Sequence, residues 1–177
     1  TDDMVALGMP QERIGIHYTG LDHERFHPIE RGAARALVSA MPNLGIWSER
    51  PLIVTPGSLI PRKGQRLVIE ALAHLPDARL ALAGAGEDEK PLRALADWLG
   101  VGDRVQFLGL VGHDLLPHVL CAADVLVLPS ASEGLANVWV EGLACGTPIV
   151  IPDIGGAREV VQDLSLIHIS EPTRPER

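Results

Sequence analysis

Cysteine is scarce in this sequence, which contains only Cys121 and Cys145 among its 177 residues. Small domains that depend on disulfides place several cysteines close together, and zinc sites need clusters of cysteine or histidine at short spacing. These two cysteines lie far apart, with no such cluster around them. The sequence therefore predicts neither a disulfide framework nor a zinc site, and it fits a reducing, cytoplasmic setting.

Positive charge is also scarce, because 15 Lys and Arg residues face 23 Asp and Glu residues, for a formal net charge of −8. General nucleic-acid binders concentrate lysine and arginine to displace counterions from phosphates, so no nucleic-acid partner is expected. Long apolar runs are missing too, since stretches such as "ADVLVLP" are far shorter than the roughly 20 residues of a membrane-spanning helix. The 46% hydrophobic content predicts a soluble globular domain with a sizeable core.

Several cofactor and metal motifs are absent or incomplete. "GAGEDE" supplies the first two glycines of G-x-G-x-x-G, but Glu89 occupies the third position, where it opposes close packing and repels a pyrophosphate. No G-x-x-x-x-G-K-[ST] phosphate loop occurs, and the seven histidines form no H-E-x-x-H or comparable cluster. A dinucleotide-dependent dehydrogenase is therefore disfavoured, and no metal or other cofactor is expected.

The two ends of the chain differ from its centre. Residues 1–50 contain one strand-like run, turn residues and a predicted helix at 31–41, and we interpret them as a connector into the following domain. The stretch "LSLIHISEPTR", residues 164–174, resembles a translation of the transposase adapter used in DNA library preparation. Residues 164–177 are therefore predicted to be a non-native tail. Resequencing the source clone would test this prediction.

The centre alternates short apolar runs with amphipathic segments. Predicted strands lie at 52–58, 78–86, 104–109, 124–129 and 148–152, and predicted helices lie at 64–75, 89–100, 114–123, 136–146 and 155–164. Continuous apolar strands that alternate with helices are typical of a parallel sheet with helices on both faces. The sequence thus predicts an α/β fold, a Rossmann-like doubly wound parallel sheet. Ligands of such sheets bind outside the carboxyl ends of the strands.

Three predicted loops at these ends combine glycine with charge: "PGSLIPRKG", "GAGED" and "PSASEGLAN". Their glycines (Gly57, Gly84, Gly86 and Gly134) permit close backbone approach, and Arg62 and Lys63 add positive charge, which together suit an anionic diphosphate. Other interpretations stay open at this point. Gly84 and Gly86 also fit an ordinary turn, and Arg62 and Lys63 also fit a solvated surface pair.

The stretch "SEGLANVWVEGLACGTPIV" contains two glutamates, Glu133 and Glu141, with seven residues between them. Glu133 could simply cap the predicted helix, because free backbone N–H groups and the helix dipole favour negative charge there. Glu141 lies among apolar residues on a segment that is predicted to pack on most of its faces. A carboxylate in such a segment needs a partner.

Several blocks of the sequence, taken in order, resemble the retaining nucleotide-sugar glycosyltransferases of family 4, which have the two-domain GT-B fold. The blocks are "GLDHERFHP", "GSLIPRKG", "LALAGAGED", "DRVQFLGLV", "AADVLVLPSASEGLANVWVEGLACGTPIV" and "DIGGAREVV". The likeness runs from about residue 14 to residue 163. It implies that 51–163 is the C-terminal, nucleotide-sugar-binding half of a GT-B enzyme, and that 1–50 is the end of the acceptor domain with its connector.

The resemblance also implies roles for individual residues. Glu133 matches the glutamate that contacts the donor sugar, Glu141 matches the one that binds the ribose diol, and Lys63, assisted by Arg62, matches the lysine that neutralises the leaving diphosphate. The remaining residues with an implied donor contact lie in four loops: Gly57, Ser58, Gly86, Leu110, Val111, Gly134, Leu135, Ala136, Asn137 and Val138.

One position departs from the family pattern. Ser58 stands where these enzymes usually have arginine, and serine supplies no charge for the diphosphate. The resemblance implies a metal-independent reaction, an acceptor that is a glycan, a lipid or a small molecule, and a cytoplasmic enzyme whose membrane contact, if any, is peripheral and made through the acceptor half. This chain alone would bind the donor without transferring the sugar. A sugar-nucleotide epimerase of similar fold and a non-catalytic nucleotide-sugar-binding module are the alternatives.

Overall fold

Strands and helices alternate along the chain in the computed structural model, which describes residues 2–15, 17, 20–40 and 50–161. The strands are β1 (Leu52–Pro56), β2 (Arg79–Ala83), β3 (Val105–Gly109), β4 (Val125–Val127) and β5 (Ile149–Val150). The helices are α1 (Asp2–Ala6), α2 (Arg31–Ser39), α3 (Gln65–Leu72), α4 (Glu89–Trp98), α5 (Leu116–Ala122), α6 (Asn137–Ala144) and α7 (Ala157–Val160). Short 3-10 turns occur at Gln11–Arg13, Pro61–Lys63 and Gly102–Arg104.

The five strands form one parallel sheet in the order β3-β2-β1-β4-β5. The chain first moves outward from β1 through β2 to β3, and then returns past β1 to β4 and β5. This is the strand order of a doubly wound Rossmann-like sheet. The predicted fold class is confirmed.

Two hydrophobic clusters cover the two faces of the sheet. Alternate strand residues point to opposite faces, so Leu52 and Val54 of β1 enter one cluster while Ile53 enters the other. The first cluster contains residues of α2, α5 and α6, and the second contains residues of α3 and α4. β3 lies at the edge of the sheet and is partly exposed along its whole length. The core therefore has three layers, with the sheet in the middle.

The predicted elements exist where the sequence placed them, but most of them are shorter. The predicted strand 52–58 ends at Pro56, because Gly57 turns the chain with a φ of +132°. The predicted strand 78–86 ends at Ala83, because Gly84 and the residues after it pack as a loop against the β1–α3 connection. Gly100 follows α4 with a φ of +68°, in the left-handed conformation expected after a helix end.

Helix α2 packs as part of the domain core, although its sequence lies within the predicted connector. Ala34 and Val38 of α2 are fully buried against α5 and the sheet. An ionic network joins the helix to the amino-terminal edge of the sheet. Arg35 and Arg31 contact the two oxygens of Asp124 at 2.7 and 2.8 Å, and Asp124 also accepts the backbone N–H of Leu52 at 2.7 Å.

Some predictions fall outside the described residues. The strand-like run predicted near the start includes residues 16, 18 and 19, and the described residues beside it form the 3-10 turn Gln11–Arg13. The predicted tail, 164–177, lies entirely outside the described residues, as does the end of the last predicted helix. The division at residue 50 stays a prediction.

Candidate functional site

The candidate site lies at the carboxyl ends of β1 and β4, which are neighbours in the sheet. The crossover from β1 to β2 and the crossover from β4 to β5 leave this point in opposite directions. Loops that diverge in this way open a crevice, and open α/β sheets bind ligands there. The β1–α3 loop and the β4–α6 loop form the two sides of the crevice.

Backbone hydrogen bonds join the three glycine-containing loops at this edge. The β1–α3 loop bonds to the β2–α4 loop through Gly57 N–H to Ala83 O at 2.9 Å and Leu59 N–H to Ala85 O at 3.0 Å. On its other side, the Arg62 carbonyl accepts the N–H of Ala131 from the β4–α6 loop at 2.8 Å. The β1–α3 loop is therefore fixed from both sides.

The glycines of the β2–α4 loop are explained by this loop-to-loop contact. A Cβ atom at Gly84 would lie 1.9 Å from the carbonyl oxygen of Gly57, and one at Gly86 would lie 2.2 Å from that of Leu59. The close approach predicted for these glycines thus occurs against protein backbone. Gly134 differs, because an added Cβ there would meet nothing within 4 Å. A donor contact for Gly86 stays a prediction.

An ion pair between Lys63 and Glu133 joins the two sides of the crevice. The Lys63 Nζ atom lies 2.5 Å from Glu133 Oε1, and the side chains are only 16% and 9% exposed. The stem of Lys63 passes beside Gly57, where an added Cβ would lie 3.8 Å from Lys63 Cε. Arg62 approaches the same carboxylate oxygen at 3.5 Å, is 47% exposed, and also donates to the carbonyl of Ser132. Two cations thus converge on one carboxylate.

The pKa of Glu133 reflects these opposing neighbours. Burial by itself raises the pKa of the carboxyl, but the Lys63 ammonium, the Ser130 hydroxyl and the Arg62 guanidinium favour its charged form. The net effect is a pKa below the ordinary value. Glu133 is therefore ionised at neutral pH and can accept hydrogen bonds from hydroxyl groups.

Helix α6 begins beside this ion pair. Ala136 precedes the helix in an extended conformation and provides no side-chain cap, so the first turn at Asn137 and Val138 receives none. The carbonyl of Gly134 accepts the N–H of Gly156 at 2.9 Å, which fixes the entry to the helix, and Leu135 packs partly against the core. An uncapped helix start is suited to a phosphate, because its N–H groups and dipole favour negative charge.

Glu141 lies one turn into α6 and borders a cavity of about 190 Å³. The residue is 9% exposed, and burial raises the pKa of its carboxyl, while the nearby His113 lowers the pKa by a smaller amount. Leu21 and Phe26 of the connector also line the cavity, as does Asn137 at the start of the helix. The sequence did not predict that connector residues would line this cavity.

The remaining predicted site residues lie nearby but differ in exposure. Ser58 is exposed at the tip of the β1–α3 loop. Leu110 is 85% exposed after β3, while Val111 packs partly against the core, and neither lines the cavity beside Glu141. Their predicted contact with the nucleotide base stays a prediction.

Gln65 is a residue of this region that the sequence did not single out. It is 1% exposed, and its Nε2 atom donates to the carbonyl of Ser58 at 2.9 Å. A glutamine at the first position of a helix is usually solvated. Neither its residue type nor its position in the sequence therefore indicates burial.

The part of the chain that the structure describes contains no group of three or more His, Cys, Asp and Glu residues able to bind a metal ion. Within the same residues, no helix is long and apolar enough to cross a bilayer.

Comparisons with known proteins show which family this chain resembles. Residues 40–176 match the family described as "Glycosyl transferases group 1". The chain is 37% identical over 158 residues to D-inositol 3-phosphate glycosyltransferase of Mycobacterium sp. (strain KMS), a match that covers 85% of this chain and 34% of that protein. The chain thus spans about a third of the length of the curated relatives it matches.

Solved structures share the same fold. The chain is 28% identical to Anabaena HepE in complex with UDP-glucose, with a TM-score of 0.78, over 92% of this chain and 44% of that one. It is 30% identical to sucrose-phosphate synthase from Thermosynechococcus elongatus, with a TM-score of 0.67, over 77% of this chain and 34% of that one.

Proposed function

Because the chain belongs to the glycosyl transferases group 1 family, we propose that it is the donor-binding half of an enzyme that transfers a sugar from a nucleotide sugar to an acceptor. The glycosyltransferase relationship and the GT-B type of fold predicted from the sequence are confirmed by the family match and the solved neighbours. The donor, the acceptor and the stereochemistry belong to the proposal.

The observation that supports donor binding most directly is the convergence of Lys63, Arg62 and Glu133 at the crevice between β1 and β4. A nucleotide sugar presents two different groups side by side, an anionic diphosphate and a neutral sugar with hydroxyl donors. The two cations suit the diphosphate, and the ionised carboxylate suits the hydroxyls. In the proposed complex, Lys63 turns from Glu133 to the diphosphate, and Glu133 accepts hydrogen bonds from the sugar.

The proposed chemistry is departure of a nucleoside diphosphate from a sugar that acquires oxocarbenium character. Negative charge develops on the departing phosphate oxygens in this step. Fixed cations and N–H dipoles directed at those oxygens stabilise the charge as it forms. Lys63 and Arg62 would supply the cations, and the backbone from Gly134 to Val138 at the start of α6 would supply the N–H groups. These groups are the reason we propose a metal-independent reaction.

Glu141 is proposed to bind the ribose diol. Its carboxylate borders the cavity beside the start of α6, so one nucleotide could reach both the helix start and Glu141. A ribose presents two adjacent hydroxyl donors, which a carboxylate can accept together. The base would then extend toward Leu110 and Val111.

The acceptor side of the proposal rests on the family resemblance alone. We propose retention of anomeric configuration and an acceptor that is a glycan, a lipid or a small molecule bound by a separate acceptor domain of the same enzyme. The enzyme is proposed to act in the cytoplasm, with any contact to the inner face of the membrane made peripherally through that domain.

Calorimetric titration of the 177-residue chain tests donor binding. UDP is the first ligand to use, because the Anabaena neighbour was solved with UDP-glucose, and ADP and GDP follow. We expect one of these nucleotides to bind equally well with and without EDTA. Binding that disappears with EDTA would refute metal independence, and no binding of any of the three would refute the proposed function.

Transfer itself is tested on the full-length parent enzyme. Consumption of a nucleotide sugar that requires an added acceptor supports transfer. Release or interconversion of the sugar without an acceptor would instead support the epimerase alternative, and donor binding without turnover would support a non-catalytic module.

A further inference from the structure

Gln65 is a buried polar residue directly behind the loop that contains Lys63. The residue is 1% exposed, and its side-chain N–H donates to the Ser58 carbonyl at 2.9 Å. A buried amide without a hydrogen bond is costly, so this bond satisfies a donor that the fold has removed from water. The bond connects the first residue of α3 to the tip of the loop that precedes the helix.

The tip of this loop has an unusual backbone. Gly57 has a φ of +132°, which residues with a side chain rarely adopt. The neighbouring Ser58 carbonyl points back into the loop, where it accepts the N–H of Ile60 at 3.0 Å in addition to the Gln65 amide. Gln65 thus supplies the side-chain contact that fixes the direction of this carbonyl.

The same tip lies near the stem of Lys63. An added Cβ at Gly57 would lie 3.8 Å from Lys63 Cε and 3.9 Å from Lys63 Cδ, so the lysine stem passes Gly57 at the distance of one side-chain carbon. The Lys63 ammonium then reaches Glu133 across the crevice. The Ser58 carbonyl belongs to the Ser58–Leu59 peptide, so the Gln65 hydrogen bond closes the loop from residue 58 to residue 65, and Lys63 lies within that segment.

We propose that Gln65 is a positioning residue for the diphosphate: its hydrogen bond to the Ser58 carbonyl fixes the Ser58–Leu59 peptide and thereby holds the loop from which Lys63 reaches the diphosphate. This inference rests on the proposed function, because it presumes that Lys63 meets a diphosphate. Gln65 itself touches no ligand in this proposal and acts through the loop.

A purely structural role for Gln65 makes a different prediction. In that case, losing the hydrogen bond would lower stability without a selective effect on the second phosphate of a ligand. Thr147 offers a matched control, because it is 3% exposed and its hydroxyl donates to the Leu120 carbonyl at 2.8 Å. Thr147 precedes β5, at the opposite edge of the sheet from the site. Gln65→Met and Thr147→Val each remove one buried side-chain donor.

The experiment compares nucleotide affinity and stability in these variants. For each chain, calorimetry measures the affinity for ADP, GDP and UDP and for the corresponding monophosphates, and urea unfolding measures stability. We expect Gln65→Met to weaken diphosphate binding about three- to tenfold, the range of one hydrogen bond, with a smaller effect on the monophosphate. Thr147→Val should lose stability and leave both affinities unchanged.

The possible outcomes separate the two claims. If the wild-type chain binds none of the three diphosphates, the proposed function and the positioning role both fail. If the wild type binds but Gln65→Met weakens neither ligand, or weakens both equally, only the positioning role fails.

A second variant covers the case in which Gln65→Met does not fold. In Gln65→Glu, a protonated carboxyl can still donate to the Ser58 carbonyl, whereas a carboxylate faces that oxygen without a donor. The diphosphate affinity of this variant, relative to wild type, should therefore improve as the pH falls. If the ratio of variant to wild-type diphosphate affinity does not change with pH, the positioning role is overturned.

Discussion

At Glu141, burial, a raised pKa and a cavity coincide in one side chain. The residue is 9% exposed, and the raised pKa of its carboxyl means that burial outweighs the opposing effect of nearby His113. A carboxylate in this environment destabilises the empty chain near neutral pH. Hydroxyl groups of a ligand in the cavity would restore the hydrogen bonds that the carboxylate lost on leaving water.

The first prediction concerns the affinity that Glu141 provides. Under the proposed function, Glu141→Ala removes charge-assisted hydrogen bonds to the ribose, worth roughly 1.5–3 kcal/mol, so nucleoside diphosphate affinity should fall about 10- to 100-fold. Calorimetry with the nucleoside diphosphate and with an analogue that lacks the ribose hydroxyls measures the coupling. The analogue should bind the wild-type chain poorly, and its affinity should fall little further in the Glu141→Ala variant. If the affinity lost through the substitution and the affinity lost through the missing ribose hydroxyls simply add, Glu141 does not touch the ribose.

The second prediction concerns the pH dependence of stability. A carboxyl whose pKa is raised on folding gives up its proton more readily in the unfolded chain, so stability falls as the pH rises above the ordinary carboxyl pKa. Glu141→Gln removes this effect. The variant should therefore be more stable than wild type at about pH 7, and the difference should vanish by about pH 4. Urea unfolding of the ligand-free chains at both pH values provides the measurement, and a destabilised variant at neutral pH would contradict the argument.

At the scale of secondary-structure elements, the β1–α3 loop depends on one close backbone contact. Gly64 lies between the 3-10 turn and α3 with a φ of +73°, and a Cβ there would lie 2.3 Å from the carbonyl oxygen of Pro129. This contact brings the end of the β1–α3 loop against the end of β4. The separation between Lys63 and Glu133 therefore depends on the absence of a side chain at Gly64.

The third prediction separates backbone strain from this contact. Gly64→Ala and Gly100→Ala both place a side chain at positive φ, at +73° and +68°, but an added Cβ at Gly100 meets nothing within 4 Å. Each variant should lose about 1–2 kcal/mol through the left-handed conformation. Gly64→Ala should lose more and should also weaken nucleoside diphosphate binding, because the loop must move away from β4. Equal stability and equal affinity in the two variants would show that the clash is relieved elsewhere.

At the scale of the whole molecule, the edge of the sheet formed by the carboxyl ends of the strands differs in role from the edge formed by their amino ends. The carboxyl edge contains the candidate site, and the amino edge contains Asp124, which joins α2, β1 and β4. Arg35 is 16% exposed and Asp124 is 32% exposed, so water screens this network only in part. Stability and ligand binding should therefore respond to different substitutions.

The fourth prediction follows from this separation. Asp124→Asn weakens three charge-assisted hydrogen bonds, from Arg31, Arg35 and the Leu52 N–H, and should lower the free energy of unfolding by about 1–3 kcal/mol, while nucleotide affinity in the folded chain stays unchanged. Glu89→Gln is the control, because Glu89 and Arg93 form an exposed pair within α4 at 2.8 Å, and such pairs contribute about 0.5 kcal/mol or less. A loss of affinity in Asp124→Asn would mean that the two edges are coupled.

The sequence was sufficient to predict the alternation of strands and helices, because apolar periodicity reports which segments are buried. It could not predict the contact between Lys63 and Glu133, although it identified both residues. They are 70 positions apart, and they meet only because β1 pairs with β4, which periodicity does not specify. Gln65 was missed for a related reason, since its burial follows from the fold of the neighbouring loop and not from its own residue type.

The ion pair between Lys63 and Glu133 has a consequence for selectivity among anions. In the empty chain, a tethered carboxylate already occupies the lysine, and its tether gives it a high effective concentration. Any incoming phosphate must outcompete it. Inorganic phosphate brings nothing for the displaced Glu133 to bind, whereas a nucleotide sugar brings hydroxyls for Glu133 and a ribose for Glu141. Under the proposed function, Glu133 is therefore a competitor within the chain that a nucleotide sugar displaces more efficiently than inorganic phosphate does.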